Sequence, residues 1–457
     1  MLPATSHGRH YRLSAAEKQA VTNADSRQPD PSRQSVGVWL TLLTLIICVA
    51  VVIGVDGHRD DVPPLQLKPV RPVVTRPPRI KQPESASADP AVSPLIRVNV
   101  TPGGSDSFQL EIRGPYSIRL LGTSRELSKG KSLAKSKVQS TATGLKIGQS
   151  TFPASRLEIV PQQGPSVRVN DHLYRGSMRL FRRKDGQVSA VNVLPLEEYL
   201  ASVVDSEMPA AFPAAARQAQ AIVSRTYALY QMAHADPAAV YDLFSSQRSQ
   251  KYLGVEYTTE AGRRLAGESE GSRRAVAETR GIVCALRGQL FCTYYSAVCG
   301  GQTTNGTEIF PDAAAVLKSV PCEWCRDSEY YRWTAKVDRS DFVKKLPSTG
   351  SLSKVSSIRQ TAGPGGGVIS RFRLSEGKKS VDVTGVELRE RLAAGTLRSP
   401  HFALKLDKDE VHAEGRGHGH GVGFCQWGAR GQGLAGKTAY EIVRHYYPGA
   451  ELIAVDY

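Results

Sequence analysis

Apolar positions divide the chain into stretches of different period. Val36–Val55 (VGVWLTLLTLIICVAVVIGV) is a run of 20 uncharged, mostly apolar residues, the length an α-helix needs to cross a bilayer. From Asp60 to Pro94 the chain carries nine prolines and few large apolar residues, which predicts an extended, semi-stiff spacer. From Leu95 onward, apolar and polar positions alternate in IRVNV, FQLEIR and YSIRLL between Gly, Ser and Pro turns, the pattern of short strands. Alternation continues through LYRGSMRLFRRKDGQVSAVNVL, with Asp185-Gly186 placed as a hairpin turn.

The period then lengthens. Pro195 predicts a helix start at the first helical position, and Glu197 and Glu198 in the first turn suit the helix dipole. Leu196, Tyr199, Leu200, Val203 and Val204 fall on one face, and extending that stripe by three or four residues reaches Glu207. Burial would disfavour its charged form and raise its pKa toward the range of a general acid. The stripe alone equally allows a helix that ends earlier and leaves the glutamate solvated. Asp205, two residues before it, falls off the stripe and is expected in solvent. An alanine-rich second helix opens behind Pro213 and runs to about Met232, with Gln218, Ile222, Arg225 and Leu229 on one face.

Charge adds a compartment. The chain of 457 residues has a formal net charge of +16, and residues 65–190 hold 21 Lys and Arg against 8 Asp and Glu. Such a surface attracts polyanions. Arg9, Arg12, Lys18, Arg27 and Arg33 precede the apolar run, whereas Asp56, Arg59, Asp60 and Asp61 follow it, so the positive-inside bias keeps residues 1–35 in the cytoplasm. Residues 36–55 then act as a signal-anchor, 56–94 as the spacer, and 95–457 as an extracytoplasmic folded part. That location argues against nucleic acid as a partner. A cleaved signal peptide is the competing reading of the apolar run.

Two blocks carry a family resemblance. LPLEEYLASVVDSEMPAAFPAAARQAQAIVSRTYAL at 194–229 and GRGHGHGVGFCQWGARGQGLAGKTAYEIVRHYYPGAEL at 415–452 resemble, in that order, the two signatures of the stage II sporulation protein D / LytB family. AVAETRGIVCALRGQLFCTYYSAVCGGQT fits the family's central pattern, so the likeness spans about 95–457, with a core signature over 190–300. The fold expected is α+β, a β-rich domain with a two-helix catalytic segment. The resemblance implies lytic cleavage of the bond between N-acetylmuramic acid and N-acetylglucosamine in peptidoglycan glycan strands, with no cofactor required for catalysis. It places the catalytic glutamate of the Glu-Met-Pro triplet at Glu207 and the arginine of the Arg-Thr-Tyr triplet at Arg225, which is expected to steady that carboxylate between proton donation and proton removal. Gln218, Tyr227, His420, Gly421, Gly423 and Gln426 become candidate substrate contacts. Where many members carry a lysine before Ala-Gln-Ala this chain has Gln218, with Arg217 beside it. For the glycines, a tight turn without ligand contact is the alternative reading.

Six cysteines follow the apolar run. Cys299, Cys322 and Cys325 are candidate ligands of a structural zinc, since some family members hold zinc in this region; the fourth ligand is not identified, and disulfides are the competing explanation. Cys425 stands where the C-terminal signature usually has serine. His418 and His420 resemble a metal pair, but their spacing across glycines favours turn or substrate contacts. In GIVCALRGQLFCTYY, a three-residue loop at Arg287–Gln289 would set Cys284 opposite Cys292 and allow a disulfide; a two-residue loop would set Cys284 opposite Phe291.

Three function classes are compatible with these features: a membrane-anchored lytic transglycosylase, a non-catalytic activator or scaffold of cell-wall amidases, and a glycan-binding module. Glu207 together with Arg225 favours the first.

Overall fold

In the computed structural model the alternating segments after Leu95 form strands. Ser107–Ile112 and Arg156–Pro161 bury alternate side chains, as a sheet with one covered face requires. The structure describes residues 93–457 and the segment Pro69–Pro72, apart from 311, 312, 314, 347–351 and 394. The apolar run Val36–Val55 and most of the spacer lie outside the described residues, among which no helix is long and apolar enough to cross a membrane.

The architecture is α+β and rich in strands. A seven-stranded sheet has Val188–Pro195 near its middle, between Leu95–Asn99 and Ser177–Arg182, and an eight-stranded sheet is built around Ser107–Ile112 and Leu133–Ser140. The Ser177–Arg182 and Val188–Pro195 hairpin closes over Asp185-Gly186 as expected, with Gly186 at φ 81°. Both sheets contribute to one core, with Ile96, Val98 and Ile159 from the first and Leu110 and Val138 from the second. Val188–Pro195 is buried almost throughout because its other face, through Val191 and Val193, packs on Phe181 and Tyr241.

Seven helices complete the described chain: α1 (Leu196–Glu207), α2 (Ala214–His234), α3 (Glu270–Glu278), α4 (Arg339–Lys344), α5 (Gly385–Arg391), α6 (Gln426–Leu434) and α7 (Ala439–Tyr446). Tyr199, Leu200 and Val203 of α1 join the sheet core. Helix α2 lies between two cores: Ala221, Ala228 and Leu229 pack in the first, while Ala216, Ala219, Ile222 and Val223 pack in a second with α6, α7 and the cysteines. Its alanines permit that approach on several sides.

Residues 332–416 form a third core of their own around Trp333, Phe372, Phe402 and Val411, with two three-stranded sheets and helices α4 and α5. Hydrophobic periodicity did not separate this insertion from the rest of 95–457. Its first and last strands, Arg332–Asp338 and Glu410–Arg416, pair with each other from Arg332 opposite Arg416 to Asp338 opposite Glu410.

The Cys284 register is corrected. Ala285 pairs with Leu290 and Leu286 with Gln289, so the loop is the two-residue Arg287-Gly288, both at positive φ (52° and 76°). That turn matches the twist of a hairpin, whereas the three-residue alternative does not arise. Cys284 and Cys292 are both buried and pack in different cores.

Candidate active site

Helix α1 follows directly on strand Val188–Pro195, with Pro195 as its N-cap rather than its first helical residue. Leu196, Tyr199, Leu200, Val203 and Val204 are all fully buried, so the stripe seen in the sequence is the packed face. The helix holds its geometry to its last residue, Glu207, and Met208 leaves it in an extended conformation. Glu207 therefore continues the buried face by one turn, at the edge where the core meets solvent.

Three donors converge on this carboxylate. The Lys251 backbone N–H donates to Oε1 at 3.0 Å, the Tyr295 hydroxyl to Oε1 at 3.2 Å, and Gln426 Nε2 to Oε2 at 3.2 Å. Burial pushes the Glu207 pKa above the ordinary carboxylate value; the hydrogen bonds from Lys251, Gln426 and Tyr295 and the Lys251 charge pull it partly back. A carboxyl so placed holds a proton more readily than a surface glutamate and still has donors for the charge after losing it. Gln426 is itself seated by Gln220, whose Oε1 lies 3.4 Å from Gln426 Nε2 and whose own Nε2 donates to Ser224 at 2.9 Å. Tyr227 meets Tyr294 and Tyr295 edge-on, with centroids 6.3 and 6.5 Å away, so it backs the tyrosine that binds Glu207.

Arg225 is placed elsewhere. It is fully buried, and all five of its N–H donors have acceptors: Nε and Nη2 grip both oxygens of Glu197 at 2.7 and 2.8 Å, Nη2 also reaches Val276 O, and Nη1 reaches Thr279 Oγ1 and Ile282 O. Tyr457 donates a further hydrogen bond to Glu197. No donor is left for Glu207, so the expectation that Arg225 steadies the catalytic carboxylate is corrected; it ties α1, α2 and α3 together. Asp205 is also not solvated. It pairs with Arg217 and accepts from Ser269 at 2.6 Å, with 16% of its side chain exposed. Gln218 donates to Glu278 of α3 rather than into the Glu207 site.

The loop 418–423 is held by the protein itself. His420 Nδ1 accepts the Val422 N–H at 3.0 Å, and burial, reinforced by Arg389, pushes its imidazole down to about 4, leaving it neutral at pH 7. Its ring stands edge-on to Phe310 and Tyr294, whose rings stack at 3.7 Å. A Cβ on Gly421 would stand 2.5 Å from Thr304 Oγ1, and one on Gly423 would stand 2.2 Å from Tyr294 O; both residues have positive φ. The close approach that these glycines permit is to the protein's own backbone and side chains.

A family model described as stage II sporulation protein matches residues 184–285, the stretch that includes α1 and α2. The chain is 27% identical over 364 residues to an uncharacterised protein of Brachyspira hyodysenteriae, covering 79% of this chain and 93% of that protein. It is 30% identical over 275 residues to stage II sporulation protein D of Bacillus subtilis, covering 58% of this chain and 77% of that protein. The chain belongs to the stage II sporulation protein D family. An amidase enhancer of Bacillus subtilis is a more distant relative, 21% identical over 356 residues, 65% of this chain and 48% of that protein.

Within this stage II sporulation protein D family member, several residues around Glu207 escaped the sequence patterns. Tyr295 and Gln220 lie inside stretches that carry the family likeness, but alternation and spacing do not say which tyrosine or glutamine turns inward. Lys251 contributes a backbone N–H, which has no side-chain signature. Cys299, Cys322 and Cys325 do come together, and the fourth member of the group is Cys425. His418 and His420 are not part of that group; His418 instead bridges to Val298 and packs edge-on to Tyr330.

Proposed function

We propose that this protein is a membrane-anchored peptidoglycan lytic transglycosylase in which Glu207 alone acts as acid and then base. The observation that carries the reading is the carboxyl of Glu207, closing a buried helical face, raised in pKa by desolvation and met by three donors. Its nearest sequence rival, Asp205, is committed to Arg217 and Ser269. Hydrolysis of a glycoside ordinarily uses two carboxyl groups set apart across the bond, whereas an internal displacement needs one. Glu207 donates its proton to the glycosidic oxygen as the bond to C1 breaks. The carboxylate then takes the proton of the muramic acid 6-hydroxyl as O6 closes on C1. Glu207 ends as it began, no water is consumed, and the sugar leaves as a 1,6-anhydro product.

Tyr295 and Gln426 hold the carboxylate between the two proton transfers, the role first assigned to Arg225. The basic region 65–190 suits an anionic wall, and Val36–Val55 serves as the anchor with 56–457 outside the cytoplasm.

Glu207→Gln tests the reading on purified glycan strands. The amide keeps the shape and cannot donate the proton, so cleavage falls by about 10²–10⁴-fold, the usual worth of general acid–base catalysis, while glycan binding persists. Mass spectrometry of wild-type products distinguishes the classes: anhydro-muramic ends mark lyase chemistry, and reducing ends mark hydrolysis. Intact strands, with a rise in the rate of an added cell-wall amidase, mark an activator. Cleavage by Glu207→Gln within about twofold of wild type removes Glu207 from the mechanism. Protease added outside spheroplasts is expected to cut residues 60–94 and spare 1–35; the reverse pattern overturns the orientation.

A further inference from the structure

The sulfurs of Cys299, Cys322, Cys325 and Cys425 lie within 4.8 Å of one another, and all four residues are buried. They come from three separate places: the Gly-Gly loop, the Cys-x-x-Cys turn with the 3-10 helix Glu323–Cys325, and the N-cap of α6. We propose that these four thiolates bind one structural zinc ion, with Cys425 as the ligand that completes the tetrahedron.

The argument is first one of distance. Four sulfurs about 2.3 Å from a central zinc stand about 3.8 Å apart along each tetrahedral edge. Cys299 Sγ and Cys325 Sγ are 3.7 Å apart. A disulfide needs about 2.0 Å between sulfurs, and the four residues are free cysteines. Three thiolates and an open position would describe a catalytic zinc; four buried thiolates describe a closed, structural one.

The surroundings are built for charge on sulfur. Cys425 Sγ accepts backbone N–H groups from Cys299 and Gly428, both at 3.3 Å, and the Tyr446 hydroxyl lies 3.2 Å from Cys322 Sγ. Such outer contacts orient metal-bound thiolates and spread their charge. Gly428 leaves the space: a Cβ there would stand 2.6 Å from Cys322 Sγ and 1.9 Å from the Tyr446 hydroxyl. A guanidinium adjoins the group. Arg416 Nη1 is held by the carbonyls of Cys299, Gly300 and Gln302, while its Nη2 is buried without a hydrogen-bond partner among the described residues. Zinc with four thiolates carries two negative charges, which gives that buried cation a counterpart.

The position in the fold says what the ion would hold. Strand Phe424–Cys425 runs parallel to Tyr295–Ser296, with Tyr295 opposite Phe424 and Ser296 opposite Cys425. Tyr295 lies four residues before Cys299, and Gln426 follows Cys425 directly. Two of the three donors to Glu207 thus belong to segments that the four sulfurs join. Zinc binding is independent of whether Glu207 cleaves glycan, and it is read without any glycan.

The test uses the full chain purified in detergent under reducing conditions. Elemental analysis is expected to find one zinc per chain. Exchange for cobalt is expected to give thiolate-to-cobalt charge transfer and the visible bands of a tetrahedral site. Cys425→Ser, which restores the residue usual at that position, and Cys322→Ser are expected to lose the cobalt spectrum and the bound zinc, and chelation of the wild type is expected to lower Tm. The wild-type cobalt spectrum decides the matter even if both variants misfold. Four alkylatable thiols with no zinc retained after dialysis against zinc would overturn the proposal. So would peptide mapping, on protein matured outside the cytoplasm, that finds these cysteines joined in two disulfides.

Discussion

Replacing Gln426 with methionine keeps the side chain's length and most of its volume while deleting the Nε2 donor 3.2 Å from Glu207 Oε2. A hydrogen bond to a charged group is worth about 1.5–3 kcal/mol net, and a carboxylate at the edge of the core belongs at the low end because water takes over part of the lost interaction. At about 1.4 kcal/mol per pKa unit, the loss raises the Glu207 pKa by about one unit. The sign follows from which form loses its partner. Gln426 stabilises the carboxylate, so without it the carboxyl keeps its proton to higher pH. A glycosidase-like first step needs the protonated form, and the alkaline limb of kcat/KM is therefore expected to move up by about one pH unit. Initial rates of soluble fragment release from purified glycan, measured across the pH range with wild type and Gln426→Met, read this directly. Tyr295→Phe removes the other side-chain donor and is expected to shift the limb in the same direction. A limb that stays in place or moves down in both variants refutes the assignment of Glu207 as the titrating acid.

Three further outcomes follow from the same structure. Because the folded-state pKa of Glu207 is raised, the native protein binds the proton more tightly than the unfolded chain, and stability falls as pH rises above the ordinary carboxylate range. Glu207→Gln removes that cost, so its Tm is expected to exceed the wild-type value by a margin that grows with pH in thermal melts. Arg225→Met strands Glu197 in a buried site and is expected to cost about 3–5 kcal/mol in denaturant unfolding, whereas adding Glu197→Gln recovers part of the loss. A stability change under about 1 kcal/mol would contradict a buried structural pair. Cys284 and Cys292 are expected to appear as two separate alkylated peptides in a non-reducing map of denatured protein, since the Arg287-Gly288 turn aims them to opposite faces.

The place of Glu207 was legible in the sequence because it extends a periodic pattern: five apolar residues at helical spacing point to it, and the structure continues the helix to that residue. Arg225 was legible as a residue on a helix face, but not by partner. Its acceptor, Glu197, lies 28 residues earlier, and nothing in spacing distinguishes a first-turn glutamate that caps a dipole from one that receives a buried guanidinium. Cys425 is 100 residues beyond the Cys-x-x-Cys pair, isolated in a glycine-rich stretch, so it had no pattern to join until the chain folded. The hairpin at 287–288 turned on a single residue of register, which local sequence specifies only weakly when glycine and arginine can both adopt positive φ. The insertion 332–416 alternates like the strands around it, and its separate core is a property of which strands pair, not of their composition.

The groups around Glu207 are widely spread along the chain: Lys251 lies 44 residues downstream, Tyr295 lies 88, and Gln426 lies 219. Contacts of such separation form late, after the loops between them have closed. A chain made from its N-terminal end therefore contains Glu207 long before the residue that completes its setting exists. Until Gln426 has been added and packed, the carboxyl lacks one of its three donors, so the surroundings that govern its proton are finished only when nearly the whole polypeptide has been synthesised.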